Sequence, residues 1–401
     1  MPNTSPPRSN RLPRDVQRLV SLAESLAQSG SRLEDVYWEG LLANQLDKLL
    51  IGKKNKSIEA ALEHLIAGNV EAYEILVEQA ETQSESTQLQ VADKPYDVLL
   101  ICAPVVAWTR YQLPQSFALG DQLQAAQRLL QQHILAEGAQ VALVPELVCF
   151  DQMPQSFQET LEWTQRLGKQ ALGQRVDPLV IKPINNMEGM LADARFLIAA
   201  VAVPRGGCLF RWQNDGAEAP TRAQCFEDWV RDASNLISPM FTGCTVEYLH
   251  PDAYYVNSRE ADRRIRPLAL KAAVTWLQTA AGLPGDSLRA TIAGAGESII
   301  EEYRIGFSTR QSTEVIYGCI WPILSKDEAV SDSIDNDETA VPEEILSLLR
   351  ELGVSDVRRL PGLHTAEFCD DCGAPYFPNP LGEMLHPELP EEIDINPLNF
   401  H

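Results

Sequence analysis

The sequence predicts an α/β protein that carries an N-terminal helical cap. Three observations favour this class: apolar residues repeat at helical spacing over residues 13–82, apolar strands alternate with amphipathic helices over residues 96–360, and the chain is long enough for a large core. It has 401 residues, of which 45% are hydrophobic. An α+β arrangement is the alternative class.

The cap is predicted over residues 13–82 as two antiparallel helix pairs. Ser31 and Glu34 have the spacing of a capping box, in which two side chains satisfy the first N–H groups of a helix. Such pairs serve either as a peptide-binding groove or as a helical layer packed on the next domain. Residues 1–12 are expected to be a disordered tail because they are polar and rich in Pro and Arg, and residues 83–95, rich in Gln, Ser, Thr and Glu, are expected to be a linker.

The body is predicted over residues 96–360 as three approximate copies of one unit, in the order hairpin, helix, strand, helix. The copies are residues 96–184, 195–293 and 302–360. A period of about 100 residues indicates equivalent layers around a shared, mixed sheet. Within the third copy, residues 325–340 are rich in carboxylates and lack apolar periodicity, so we expect a solvated loop there.

The C-terminal segment, residues 361–401, contains the residue pattern that most clearly indicates chemistry. Cys369 and Cys372 are separated by two residues and followed by glycine, which aims two sulfur atoms at one metal ion. An Asn-Pro-Leu-Gly turn follows and predicts a hairpin that returns His386 towards the thiols. His364 precedes the pair and is the candidate fourth ligand. The sequence therefore predicts a zinc-knuckle-like hairpin.

Four interpretations of the two thiols remain open at this point. A structural zinc is favoured, because a closed four-ligand site holds a segment that lacks apolar mass of its own. A redox dithiol normally begins a helix, and the prolines that follow argue against one. A catalytic zinc requires a nearby acid or base, for which Glu367, Asp370, Asp371 and Glu383 are candidates. The last interpretation is a pair of unliganded thiols in a surface loop.

The composition restricts the expected partners and location. The chain has 33 basic and 56 acidic residues and a net charge of −23, which repels nucleic-acid backbones and anionic membranes. Its eight cysteines are mostly scattered through predicted strands, as is typical of reduced thiols and not of a disulfide framework. The N-terminus lacks the apolar region of a secretion signal, and no apolar run is long enough to span a bilayer. We therefore expect a cytoplasmic protein.

Two segments resemble the signatures of a known family. They are Ser29 to Glu39, which includes the capping box, and Glu367 to Glu391, which includes the thiol pair and the turn. Both are similar to an uncharacterised family of bacterial proteins, domain of unknown function 2863. The resemblance implies a bacterial cytoplasmic setting, and it implies no activity, substrate or site residues.

Two functional hypotheses follow. The first is a non-catalytic binding or scaffold protein with a structural zinc, which acts on a protein partner or as a homo-oligomer. The second is a metal-dependent enzyme whose site lies between the thiol segment and the strand ends near Asp151 and Asp252.

Overall fold

The structure, a computed structural model, describes residues 12–389 except 110–112, 115–116, 184–190, 215, 217–218, 298 and 325–340. The predicted acidic loop and all but the last residue of the predicted tail lie outside these ranges. The helices described are α1 (Arg14–Ala27), α2 (Arg32–Ile51), α3 (Asn55–Ile66), α4 (Val70–Glu85), α5 (Leu123–His133), α6 (Phe157–Ala171), α7 (Arg222–Ile237), α8 (Tyr254–Thr279) and α9 (Val341–Glu351).

The strands of the described residues fall into two sheets and one small hairpin. They are β1 (Ser86–Val91), β2 (Lys94–Trp108), β3 (Gln140–Leu143), β4 (Ala192–Pro204), β5 (Thr245–Tyr248), β6 (Asp252–Ala253), β7 (Leu288–Ala295), β8 (Glu302–Thr309), β9 (Tyr317–Pro322), β10 (Asp356–His364), β11 (Phe377–Pro378) and β12 (Met384–Leu385).

Helices α1 to α4 form the cap and share one hydrophobic core. Ser31 precedes α2, and its Oγ accepts the N–H of Glu34 at 3.3 Å, so the predicted cap at this helix end is confirmed. Leu161 of α6 is buried within the same core. The cap therefore packs directly on the α/β body.

Residues 83–95, predicted as a linker, are instead part of the fold. Helix α4 continues to Glu85, and β1 then pairs with β2 in antiparallel orientation. Exposed and partly buried residues alternate along the second half of β1, as expected for a strand at the edge of a sheet. Its polar composition therefore reflects an exposed edge and not an unstructured segment.

The first sheet has the order β1-β2-β4-β3, with β5 and β6 paired to β2 on the same side as β1. All of its pairs are antiparallel. Helices α5 and α7 pack on one face, while α6 and the first part of α8 pack on the other. Strands β2 and β4 are therefore almost continuously apolar, because both of their faces are covered.

The second sheet has the order β10-β7-β8-β9, in which β10 runs parallel to β7 and the other pairs are antiparallel. Helix α9 and the second part of α8 cover one face. Helix α8 spans both sheets, since Tyr254 and Ala261 pack on the first and Leu270 and Leu277 on the second. No helix of the described ranges, α8 included, combines the length and apolar character needed to cross a membrane.

The α/β class is confirmed, but the strands form two sheets and not one shared sheet. Strand β7, predicted to end the second copy, pairs with β8 and β10 of the third. Residues 179–183, at the end of the first copy, form no strand, and residues 208–212, in the predicted hairpin of the second copy, contribute a bridge and a 3₁₀ turn in place of a strand. Whether these residues form strands depends on the strands available to pair with them, and the local sequence pattern does not reveal those partners. The threefold repeat remains a prediction.

Candidate metal centre

The predicted C-terminal hairpin is formed by β11 and β12, which pair in antiparallel orientation. Asn379 closes its turn, because the side-chain Oδ1 accepts the N–H groups of Leu381 and Glu383, each at 2.9 Å. Gly382 adopts a φ of +91°, a conformation that favours glycine. The turn therefore returns the chain so that His386 follows β12 on the side of the thiols.

The two thiols lie on a tight turn. The N–H of Gly373 donates to the carbonyl of Cys369 at 2.8 Å, and the N–H of Cys369 donates to the carbonyl of Ala374 at 2.8 Å. Gly373 has a φ of +73° and permits this reversal. Both sulfur atoms are thereby held on the same side of the turn as His386.

Cys369, Cys372 and His386 form one cluster in which the ligand atoms all lie within 4.8 Å of one another. The Sγ of Cys372 lies 3.2 Å from Nε2 of His386. Ligands bound at about 2.0–2.3 Å to a tetrahedral zinc lie about 3.3–3.8 Å apart. The cluster is therefore close to the spacing that such an ion requires.

The surroundings of the cluster favour metal binding. Backbone N–H groups of Cys372 and Asp371 hydrogen-bond the Cys369 thiol and lower its pKa, and the side chains of Cys372 and Tyr376 act in the same direction. The thiolate is the form that binds a metal. Behind the imidazole, Nδ1 of His386 lies 3.9 Å from a carboxylate oxygen of Glu388. This distance is too long for a hydrogen bond, and Nδ1 has no hydrogen-bond partner among the described residues.

His364, the predicted fourth ligand, does not belong to this cluster. It ends β10 beside Ala295 of β7, and its Nε2 is buried without a hydrogen-bond partner among the described residues. Its role as a ligand remains a prediction. None of the carboxylates considered as catalytic groups belongs to the cluster within the described ranges. One of them, Glu383, accepts a hydrogen bond from Nδ2 of Asn379 at 2.8 Å.

Arg304 of β8 holds the thiol segment on the second sheet, although no sequence motif marks this residue. Its side chain is fully buried. Nη1 donates to the carbonyls of Glu367 at 2.5 Å and Tyr376 at 2.8 Å, on either side of the thiols, and Nε donates to Glu302 at 2.6 Å. The guanidinium also lies 4.9 Å from the ring centre of Phe368. The sequence signal that could have indicated this role is the presence of an arginine among the apolar residues of β8.

Two glycines provide the surface on which the hairpin packs. Gly306 of β8 and Gly318 of β9 are directly opposite each other in the second sheet. A Cβ at Gly306 would overlap the carbonyl oxygen of Pro378, and one at Gly318 would overlap the ring of Phe377. Glycine inside a strand often marks such a close approach, so this signal was also present in the sequence.

The carboxylates at the other predicted strand ends lie elsewhere. Asp252 belongs to β6 in the first sheet and is ion-paired with Arg222. Asp151 lies in a 3₁₀ turn, and Phe150 of the same turn packs on Phe196 of β4. Neither joins the cluster, which packs on the second sheet.

Comparison with known proteins gives a family and no activity. Residues 4–400 match the family model described as "Protein of unknown function (DUF2863)". No curated protein and no solved structure matches the chain significantly. Because the match covers nearly the whole chain, this protein belongs to the DUF2863 family.

Proposed function

We propose that this is a non-catalytic cytoplasmic binding or scaffold protein in which a structural zinc ion fixes the C-terminal hairpin on the second sheet. The observation that carries the proposal is the cluster of Cys369, Cys372 and His386, whose ligand atoms lie within 4.8 Å of one another. Two thiolates and an imidazole favour zinc over magnesium or calcium, which prefer oxygen ligands. His364 is the proposed fourth ligand.

A structural role is supported by the small apolar mass of the hairpin. Phe377 is the buried hydrophobic residue of the segment that follows β10, and the residues next to the thiols are exposed or partly exposed. Segments of this kind gain most of their stability from a bound metal. The ion would thus act together with Arg304 to hold the hairpin in place.

A binding role is supported by an exposed apolar stripe on the cap. Leu33, Val36 and Tyr37 of α2 are 85%, 61% and 59% exposed, and they follow one another at helical spacing. Adjacent apolar side chains on a surface are typical of contact with another protein. The proposed partner is a second protein or another copy of this chain.

A cytoplasmic location is supported by the cysteines. All eight lie in the described residues and are free. A reducing compartment keeps such thiols available for metal binding.

Metal analysis of protein purified without a histidine tag tests the proposal. We expect about one zinc ion per chain and its loss in Cys369→Ser and in His386→Ala, because each change removes one of the three clustered ligands. Cys208→Ser is the matched control, since Cys208 is exposed and outside the cluster. His364→Ala should also reduce zinc affinity if it supplies the fourth ligand.

The structural role is tested by hydrogen exchange with and without a chelator. Removal of zinc should increase exchange in residues 365–389 and leave β2 and β4 protected. Absence of zinc from the wild-type protein would refute the metal site. Loss of zinc in Cys369→Ser without faster exchange in the hairpin would refute the structural role.

A further inference from the structure

A cleft at the C-terminal end of α6 lies outside the metal centre. It has a volume of about 770 Å³. Its lining residues are Arg166, Lys169, Arg175, Val176, Asp177 and Pro178. The two residues of α6 are one turn apart, and the other four follow the helix.

The cleft is formed where the chain reverses after α6. Gly173 adopts a φ of +74°, and the N–H of Gln174 donates to the carbonyl of Lys169 at 2.9 Å, which ends the helix. The following segment runs back along the last turns of α6. Nη2 of Arg166 donates to the carbonyls of Asp177 and Pro178, each at 2.8 Å, so the two walls are tied together.

The cleft concentrates positive charge in an acidic protein. Three cations and one carboxylate line it, although the chain has only 33 basic residues against 56 acidic ones. Lys169 and Arg175 form no ion pair with any residue that the structure describes, and Arg166 bonds to carbonyls, which do not neutralise its charge. Glu162, one turn before Arg166 on α6, is paired with Lys53 at 3.1 Å, and the charges of Lys53 and Arg166 both contribute to lowering its pKa.

Although some arginines, such as Arg32 and Arg128, form no ion pair among the described residues, several are paired with carboxylates. Examples are Arg259 with Glu81, Arg264 with Glu247 and Arg289 with Asp356. A lysine in the last turn of a helix also complements the helix dipole, and this accounts for Lys169. It does not account for Arg175, which lies beyond the helix end.

We propose that this cleft binds a small molecule that carries a phosphate group. Its three cations outnumber its single carboxylate, and lysine and arginine side chains bind phosphate oxygens through charge-assisted hydrogen bonds. Val176 and Pro178 add an apolar wall for the organic part of the ligand. The assignment is independent of the metal centre.

Isothermal titration calorimetry of the full chain with inorganic phosphate and with pyrophosphate tests the proposal. We expect saturable binding at one site and a loss of affinity of at least about tenfold in Lys169→Gln/Arg175→Gln, since hydrogen bonds to charged groups are lost. Arg166 is left unchanged because it holds the cleft together. Lys56→Gln/Arg32→Gln is the control, with the same loss of charge on exposed helical positions.

Equal weakening in the control would show a diffuse effect of net charge and overturn the proposal. Unchanged affinity in Lys169→Gln/Arg175→Gln, or the absence of saturable binding of either anion to the wild-type chain, would also overturn it. The zinc content of both variants should remain that of the wild type, so the result does not depend on the metal centre.

Discussion

The two sheets of this protein are covered in different ways. The first sheet is packed between α5 and α7 on one face and α6 and α8 on the other. The second sheet has α8 and α9 on one face, whereas β11 of the C-terminal hairpin packs across its other face at Gly306 and Gly318.

The difference shows how a small segment can take the place of a helix. A helix covers a sheet by burying an apolar face, at about 25 cal/mol per Å² of buried apolar surface. The hairpin has little such surface, and it is held by the hydrogen bonds of a buried arginine and, in our proposal, by a metal ion. We therefore expect the two sheets to respond to different perturbations.

The largest effect is expected for Arg304→Met. Methionine cannot donate to the carbonyls of Glu367 and Tyr376, and Glu302 loses its charged partner. Breaking a buried ion pair typically costs about 3–5 kcal/mol, so we expect a loss of about 4 kcal/mol in the free energy of unfolding measured by urea denaturation. The hairpin should also lose protection from hydrogen exchange.

Arg310→Met is the control for this change. Arg310 is 44% exposed and lies 3.8 Å from Asp356, so its removal should cost at most about 1 kcal/mol. A similar cost for both variants would mean that Arg304 has no special part in holding the hairpin.

An intermediate effect, which depends on pH, is expected at the junction of the cap and the first sheet. Glu85 accepts the N–H of Tyr255 at 3.0 Å, and burial raises the pKa of its carboxyl from the ordinary 4.5 to about 7. Because the folded state binds this proton more tightly than the unfolded state, stability falls as the pH rises from 4.5 to 7. The fall corresponds to about 3 kcal/mol.

Glu85→Gln tests this expectation in urea denaturation between pH 4 and 8. The variant should be more stable than the wild type at pH 8. It should also lack the fall in stability that the wild type shows between pH 4.5 and 7. The exposed Glu74→Gln is the control on the same helix. If the difference in the free energy of unfolding between wild type and Glu85→Gln does not change with pH, burial does not raise the pKa of the Glu85 carboxyl. Zinc content should stay unchanged throughout, since Glu85 lies outside the cluster.

The smallest of the three effects is expected for Gly318→Ala. The added methyl group overlaps the ring of Phe377 and should displace the hairpin from the second sheet. Overpacking typically costs about 1–3 kcal/mol, so we expect about 2 kcal/mol and a weaker affinity for zinc. Equilibrium dialysis of zinc and urea denaturation measure the two quantities.

Gly68→Ala is the matched control, because nothing lies within 4 Å of a Cβ at that position. Its stability and zinc affinity should equal those of the wild type within error. If Gly318→Ala also had the stability and zinc affinity of the wild type, this would contradict the packing of β11 on the second sheet.

Local sequence predicted much of this protein. Helical periodicity predicted α1 to α4, the Ser31 cap predicted the start of α2, and apolar runs predicted β2 and β4. The thiol pair and the Asn-Pro-Leu-Gly turn predicted that His386 returns to Cys372. These features depend on residues close together in the chain, so their patterns can be read without knowledge of the fold.

Only the tertiary structure decided the remaining features. Residues 83–95 became a helix end and a strand because β2 is available as a partner, and β7 joined the second sheet because β8 and β10 pair with it. The support from Arg304 and the contact at Gly318 likewise join residues about 60 positions apart, as in the hydrogen bond from Arg304 to Glu367. Such contacts depend on which surfaces meet when the chain folds, and local residue preferences do not encode that.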